Sequence, residues 1–419
     1  MGQNVHETKL VKNTIWNSLG TLTYFACQWL ITIVVVWLSD DYVNSGNLGL
    51  AMNITNFFAT VALYNVRFFQ VSDIKGEFND GEYVMTRVMT CIAAILLCAV
   101  FVLIVDFTAL QRAIILSYMV FRIIESFIEV LHGIDQKNWR MDYIGISMIT
   151  RGISMLTAFI ILVWFFDLLT AFIGMSIVTL LIGLLYDVRK TKKLLQFSSY
   201  AWKQIISLLK RCFPLMLVTL SGAVIISYSR FMIERVFDEE LLGIYIPVTA
   251  PAILIQVAIS MLFPTLSNLF TDCLKRGDKT RFIKIFAGFS AIIVAIALLA
   301  AGASVFIGEW GLNFLYNDPV LTSYVSLLPG AMIVVGLTAY LWFLNMVFAS
   351  IRDIKGVFIS NMIGVIVCLA TVQLLLVRFE LAGANYVMII SQGVAVICML
   401  IRFFRFVKVK KFKELLIKD

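Results

Sequence analysis

The chain has 419 residues, 61% of them apolar and only 14% charged, with a formal net charge of +8 and a mean hydropathy of +0.93. A soluble domain of ordinary composition carries about 25% charged residues, so this chain lacks the polar side chains to cover a water-facing surface. These figures exclude a soluble domain and predict an all-α integral membrane protein.

A membrane-spanning helix needs about 20 mostly apolar residues. The chain offers twelve such runs, at 13–38, 48–71, 84–106, 110–131, 142–165, 168–188, 208–230, 241–266, 284–306, 321–349, 356–377 and 382–402. The first follows Lys9 and Lys12 and ends at Trp37-Leu38-Ser39-Asp40 without a small-x-small site. It reads as an anchor and not as a cleavable leader. Spans one and two each carry a polar stripe: Asn17, Thr21, Tyr24 and Gln28 on one, Asn53, Asn56, Thr60, Tyr64 and Arg67 on the other. At roughly 100° per residue each stripe stays within an arc of about 80°.

Span four holds Arg122, Glu125, Glu129 and, at its inner end, His132, again on one face. Span five holds Arg151, with Tyr143, Ser147, Thr150 and Ser154 on the same side. An ionisable group at mid-membrane costs at least about 2.5–3.5 kcal/mol, so such groups face a partner or a cavity. Each has a structural reading and a functional one. Arg67 lies about four residues from its helix end and could snorkel. Arg122 and Glu125, spaced i, i+3, could neutralise each other. Arg151 could pair across helices with Glu125 or Glu129. The alternative is a polar cavity with one positive charge in excess, since three arginines face two carboxylates. Such a cavity would suit an anionic cargo, because Arg makes two-pronged contacts with phosphate or carboxylate. Spans eight to twelve have no charged residue in their interiors.

The longest inner connection, near Arg189–Ser207, divides the spans six and six. The expected organisation is an N-lobe at 1–190, a basic linker at 191–207, and a C-lobe with a basic tail at 208–419. That is the pattern of a two-lobe transporter built from repeats. With the N-terminus inside, the inner segments hold 27 of the 34 Lys and Arg residues, and the outer loops only Arg112, Arg230, Arg235 and Arg378. The positive-inside rule therefore puts both termini in the cytoplasm. The basic runs serve that topology; contact with anionic lipid is a second reading. The longest outer loop, near Gly308–Val320, is little more than a dozen residues. Pro214, Pro247, Pro251, Pro264 and Pro329 lie in or near spans of the second half, as kinks or hinges.

The seven cysteines form no CxxC pair, and His6 and His132 are too few for a metal cluster. No Walker loop is present. The expectation is a chain without metal, cofactor or ATP hydrolysis of its own.

Several segments resemble the O-antigen and capsular polysaccharide repeat-unit flippases of the multidrug/oligosaccharidyl-lipid/polysaccharide exporter superfamily. The likeness runs from Asn13-Thr-Ile-Trp-Asn17 almost to the end. Its clearest piece is Asn65-Val-Arg67-Phe-Phe-Gln70-Val-Ser-Asp73, followed by Glu82-Tyr83 and Arg87. Next come Glu125 to Gly133, Gln136, Arg140, Asp142, Ser147 and Arg151-Gly152. The second half matches at Phe213-Pro214, Arg230, Pro251 and Pro264. Where the family often has Pro-Lys-Tyr, this chain has Ser229-Arg230-Phe231.

The resemblance implies two six-helix lobes around a central cavity, as in MATE transporters. It implies an oligosaccharide on a polyprenyl diphosphate as cargo, moved from the inner to the outer leaflet of the cell membrane. The implied substrate-binding residues are Arg67, Arg122, Arg151, Asn56, Tyr64, Ser147 and Arg230, with Glu125 and Glu129 as candidates for ion coupling. Partners would be the lipid-linked oligosaccharide, membrane lipids, and the polymerase and glycosyltransferases of the same pathway, with no nucleic acid. Two rivals remain at this point. An ion-coupled drug or metabolite antiporter would need more carboxylates in its spans. A polymerase enzyme would need a catalytic loop longer than any here.

Overall fold

The computed structural model describes residues 2–39, 41–73, 76–195, 200–260, 269–270, 272–274, 276–351 and 353–408. Pro264, part of the 191–207 linker and the end of the basic tail lie outside the described residues, as do the side chains of His6, Lys9 and Lys12. The described residues are almost all helical, because in lipid every backbone N–H and C=O must find its partner within the protein. They group into two units, 1–223 and 224–419.

The first unit contains α1 (Gly2–Trp37), α2 (Val43–Leu63), α3 (Val66–Ser72), α4 (Asp80–Ile104), α5 (Ala109–Lys137), α6 (Met141–Phe165) and α7 (Leu168–Ile182). A π-helical segment, Gly183–Val188, and one turn of α8 (Arg189–Thr191) extend α7. The sequence sets the ends of these helices. Asn79 and Glu82 form a reciprocal cap on α4, and Thr108 and Gln111 do the same for α5, satisfying N–H groups that a helix start leaves unpaired. The dividing point between the units falls within α9 (Trp202–Val236).

Helices α1 and α6 approach so closely that only glycine fits at the crossing. A Cβ on Gly20 would lie 2.6 Å from the Gly145 carbonyl oxygen, and one on Gly145 would lie 2.2 Å from the Trp16 carbonyl oxygen. Small residues at such crossings are how membrane helices gain packing when burial from water offers nothing. Gly145→Ala should therefore lose about 1–3 kcal/mol through overpacking. Gly288→Ala, where a Cβ would meet nothing within 4 Å, should lose nothing. Melting temperatures of the two purified variants check this, and equal values would contradict the close crossing.

The second unit holds the end of α9, α10 (Glu239–Thr249), α11 (Ala252–Ser260), α12 (Lys279–Tyr316), α13 (Pro319–Ser323), α14 (Leu327–Ser350) and α15 (Ile354–Lys408). Helix α14 is its core: 72% of its apolar window is buried, against 22% for α12, which faces outward. Ala252, Ala301, Leu328, Ala331, Met332 and Val335 pack together at one end. Phe270, Phe282, Phe286, Phe343 and Phe403 stack at the other, with Phe286 and Phe403 rings 3.8 Å apart.

Among the described residues the predicted spans fall on helices, with several differences; span eight is interrupted at Ala250–Pro251, between α10 and α11, and its end lies outside the described residues. Among the described residues eight helices are long and apolar enough to cross a membrane, and α15 counts as one of them. It is in fact a hairpin. Glu380 has φ 49° and ψ −137°, and beyond it the chain runs back. Gly364 lies against Ser391 and Ala395, and Arg402 pairs with Asp353 at 2.8 Å. The two arms, 354–379 and 381–408, are the last two predicted spans. Span two is broken instead of continuous: Tyr64 and Asn65 both adopt left-handed φ, 47° and 54°, separating α2 from α3. The loop expected near Gly308–Val320 is mostly helix. Nothing in that stretch stops α12 until Asn317 caps it with φ 48°, and Pro319 then opens α13 at a position where its missing N–H costs nothing.

Candidate functional site

Polar and charged side chains of the first unit converge where α2 breaks into α3 and where α5 passes α4, α6 and the π-helical segment. The break gives Arg67 its place. With α3 starting afresh at Val66, the Arg67 guanidinium turns to α5, where Nη2 and Nε donate to Gln136 Oε1 at 2.8 and 3.2 Å. Arg67 is half-buried, and among the described residues no carboxylate forms an ion pair with it. Asn65 ties the break to α9, donating to the Leu215 carbonyl at 3.1 Å and to Thr219 at 3.0 Å. Gln70 donates to the Val130 carbonyl at 3.2 Å. Its side chain fills the space over Gly133, where a Cβ would lie only 1.9 Å from Gln70 Oε1.

Helix α5 carries two ion pairs. Arg122 meets Glu125 at 2.5 Å, one turn along the same face, with the side chains 22% and 11% exposed. Glu129 pairs with Arg87 of α4, which is fully buried and also donates to the Ala62 carbonyl at 2.7 Å. Both carboxylates expected to be ion-coupling candidates are thus held by arginines.

Arg151 of α6 is buried among different partners. Its Nε donates to Ser147 Oγ at 3.2 Å, its guanidinium sits 5.3 Å from the centre of the Tyr24 ring, and Asp187 and Glu125 are the carboxylates whose charge it feels. Ser147 Oγ in turn donates to Asp187 at 2.9 Å. Asp187 also meets His132 Nε2 at 3.2 Å. The result is a continuous buried chain from Arg151 through Ser147 and Asp187 to His132. The π-helical segment aims Asp187 inward, at 1% exposure. One turn on, Thr191 donates to Asp135 at 3.1 Å.

Four arginines, Arg67, Arg87, Arg122 and Arg151, therefore face four carboxylates, Glu125, Glu129, Asp135 and Asp187. The excess of one positive charge read from the sequence disappears. That reading overlooked Asp187, the one carboxylate inside the 168–188 run, because the basic cluster just after it marks a helix end.

The remaining candidates are spread out. Ser147 is fully buried within the chain described above, Tyr64 is half-buried at the helix break, and Asn56 is exposed on α2. Arg230 belongs to the second unit, beside the Tyr245 hydroxyl, which donates to Asn385 at 2.8 Å.

The segment between α3 and α4 is braced by Asp73. Its carboxylate accepts the amides of Glu77 and Phe78 at 2.9 and 3.0 Å and the Tyr83 hydroxyl at 3.1 Å. Burial pushes this carboxyl up, but those three donors and the charge of Lys137 together hold it below the usual carboxylate range. Arg140 grips Asp142 with two bonds of 2.9 and 2.8 Å and lies over the Tyr143 ring. Most residues that carried the resemblance in the first half are thus parts of these braces and pairs.

No protein-family model matches the chain. Among curated proteins, the capsular polysaccharide biosynthesis protein CapF of Staphylococcus aureus is 26% identical over 323 residues, which span 73% of this chain and 79% of that protein. Among solved structures, the MATE transporter VcmN of Vibrio cholerae aligns with a TM-score of 0.66 at 12% identity, covering 97% of this chain and 98% of that one. The lipid II flippase MurJ, in an inward closed conformation, aligns with a TM-score of 0.71 at 12% identity, covering 95% and 91%. A transporter of the same superfamily from Pyrococcus furiosus aligns at 0.66 and 12% identity over 97% and 96%. The chain is a multi-pass membrane protein that shares the fold of these MATE and MurJ transporters.

Proposed function

We propose that the protein is a flippase that moves polyprenyl-diphosphate-linked oligosaccharide repeat units from the inner to the outer leaflet of the cell membrane by alternating access. Both termini are then cytoplasmic, as the distribution of Lys and Arg requires. The observation that carries this reading is Arg67. It is half-buried at a helix break and bonded to a neutral amide, Gln136. Glu129 and Asp135 are near enough for their charge to act on it, but neither is paired with it among the described residues, so its guanidinium can still take an anionic group. A diphosphate is such a group, and a guanidinium suits it through paired hydrogen bonds. The fold, which is also that of a lipid II flippase, and the likeness to a capsular polysaccharide biosynthesis protein support the same cargo class. We assign Arg122 and Arg151 as further contacts, and Asn56, Tyr64, Ser147 and Arg230 as candidates for the sugars or the second phosphate. The antiporter alternative rests on the fold alone, since Glu125 and Glu129 are each committed to an arginine.

The test is complementation of a flippase-deficient strain with a defined repeat unit. Charge-assisted hydrogen bonds are worth about 1.5–3 kcal/mol, so Arg67→Ala should weaken transport by roughly ten- to a hundredfold. Arg67→Lys keeps the charge without the fork and should fall between. Full transport by Arg67→Ala, at normal protein level, would refute the assignment.

A further inference from the structure

The outward face of α7 ends in a feature that neither the helix nor the transport reading explains. Ile173, Ile177, Leu180, Leu181, Leu184 and Leu185 are all exposed, from 44% at Leu180 to 62% at Leu185. No polar side chain interrupts this stripe, so it is a face made for hydrocarbon. It runs into the π-helical segment, whose extra residue per turn keeps Asp187 inward while Leu185 and Arg189 stay outward. Immediately beyond lies a cleft of about 720 Å³ lined by Leu185, Arg189, Lys190, Lys192 and Lys193.

Four cations thus converge on one cleft, with no carboxylate among the described residues that line it. Among the described residues none of the four forms an ion pair. The nearest carboxylates on the packed elements are spoken for. Asp187 is turned inward to His132 and Ser147, Asp135 is bonded to Thr191, and Asp142 is gripped by Arg140. The cleft is also held in shape. Thr191 is fully buried and anchored to Asp135, and the Lys190 ammonium lies 5.2 Å from the Tyr143 ring and 5.9 Å from the Tyr186 ring. Basic residues that only set topology need no such convergence, because the positive-inside effect counts charges along the loop.

We propose that this cleft binds the phosphate of an anionic membrane phospholipid, whose acyl chains lie along the Ile173–Leu185 stripe. The occupant follows from the juxtaposition: a hydrocarbon track and an unopposed cationic cleft are joined end to end, and an anionic phospholipid is hydrocarbon and anion joined in the same order. Free phosphate would leave the track unused. The site does not depend on the flippase reading, since it lies on the outward face of α7 and uses none of the residues assigned to cargo.

Phosphatidylglycerol retained by the purified protein from phosphatidylcholine nanodiscs, counted by native mass spectrometry, tests the site. Each Lys or Arg at an anionic membrane surface strengthens attraction about fivefold. Arg189→Gln/Lys192→Gln/Lys193→Gln should therefore weaken retention by about a hundredfold, and Lys193→Gln alone by about fivefold. Lys279→Gln/Arg281→Gln/Lys284→Gln removes the same charge elsewhere and should change it less than about twofold. Equal losses in the two triple variants would reduce the effect to net charge and overturn the site, as would unchanged retention in the first. Displacement of the lipid by inorganic phosphate would overturn the choice of occupant, and so would retention of undecaprenyl diphosphate in its place.

Discussion

Arg87→Ala is expected to remove most of the folded protein. Arg87 lies fully buried on α4 and performs two tasks at once. It neutralises Glu129, and it donates to the carbonyl of Ala62 at 2.7 Å, which Thr90 also reaches at 2.7 Å. Ala62 sits in the last turn of α2, just before the break at Tyr64 and Asn65. Carbonyls at a helix end have no partner within the helix, and in hydrocarbon no water replaces it. Breaking a buried pair from one side costs about 3–5 kcal/mol, a large part of the 5–15 kcal/mol that typically holds a domain folded. Fluorescence-detected size exclusion should show the monodisperse peak collapse. Arg87→Ala/Glu129→Gln should recover part of it, because the buried charge is gone but the Ala62 carbonyl keeps only Thr90. A single Arg87→Ala variant with wild-type yield would show that the break needs no such support.

Arg151→Ala should also lower the amount of folded protein, though less than Arg87→Ala, for a related reason. It would strip the guanidinium from the buried chain that ends in Asp187 and His132, leaving the carboxylate to Ser147 and a histidine. Arg151 makes no direct ion pair with Asp187, so the loss is that of one hydrogen bond from a charged group and a nearby opposite charge, about 1.5–3 kcal/mol. Arg151→Ala/Asp187→Asn should restore folding. Transport by that double variant then separates two roles. If transport returns, Arg151 serves only to balance Asp187. If the protein is well folded and transport stays roughly ten- to a hundredfold down, Arg151 contacts the cargo. The sequence offered Glu125 and Glu129 as the carboxylates for this test; Asp187 takes their place because it shares Ser147 with Arg151.

The contrast shows which interactions a sequence can reveal. The Arg122–Glu125 pair was legible, since two residues one turn apart on a helix must share a face whatever surrounds them. The positions of the spans were legible too, because lipid demands long apolar runs. The Arg87–Glu129 pair was not, because its partners are 42 residues apart and meet only once α4 and α5 have settled into register. Asp187 was hidden by its neighbours, the basic run that follows it. The break at Tyr64 and Asn65 left no trace either. Neither residue is a glycine or proline, and the polar stripe from Asn53 to Arg67 keeps its helical period across the break. Arg67 was read as a residue near the end of one long helix, when its position depends on there being two.

The single-residue turn at Glu380 has a consequence for how this part of the gene can vary. With only one non-helical position between the arms, the turn has no slack to absorb a change of length. Each residue added would rotate the following arm by about 100° and advance it by about 1.5 Å. Gly364 would then no longer face Ser391, where a Cβ already has only 2.8 Å to the carbonyl oxygen, and Arg402 would swing away from Asp353. Substitutions along either arm leave this geometry intact, but an insertion or deletion at the turn does not. Variants that preserve the hairpin should therefore differ here in residue identity and keep the spacing from Asp353 to Arg402 unchanged.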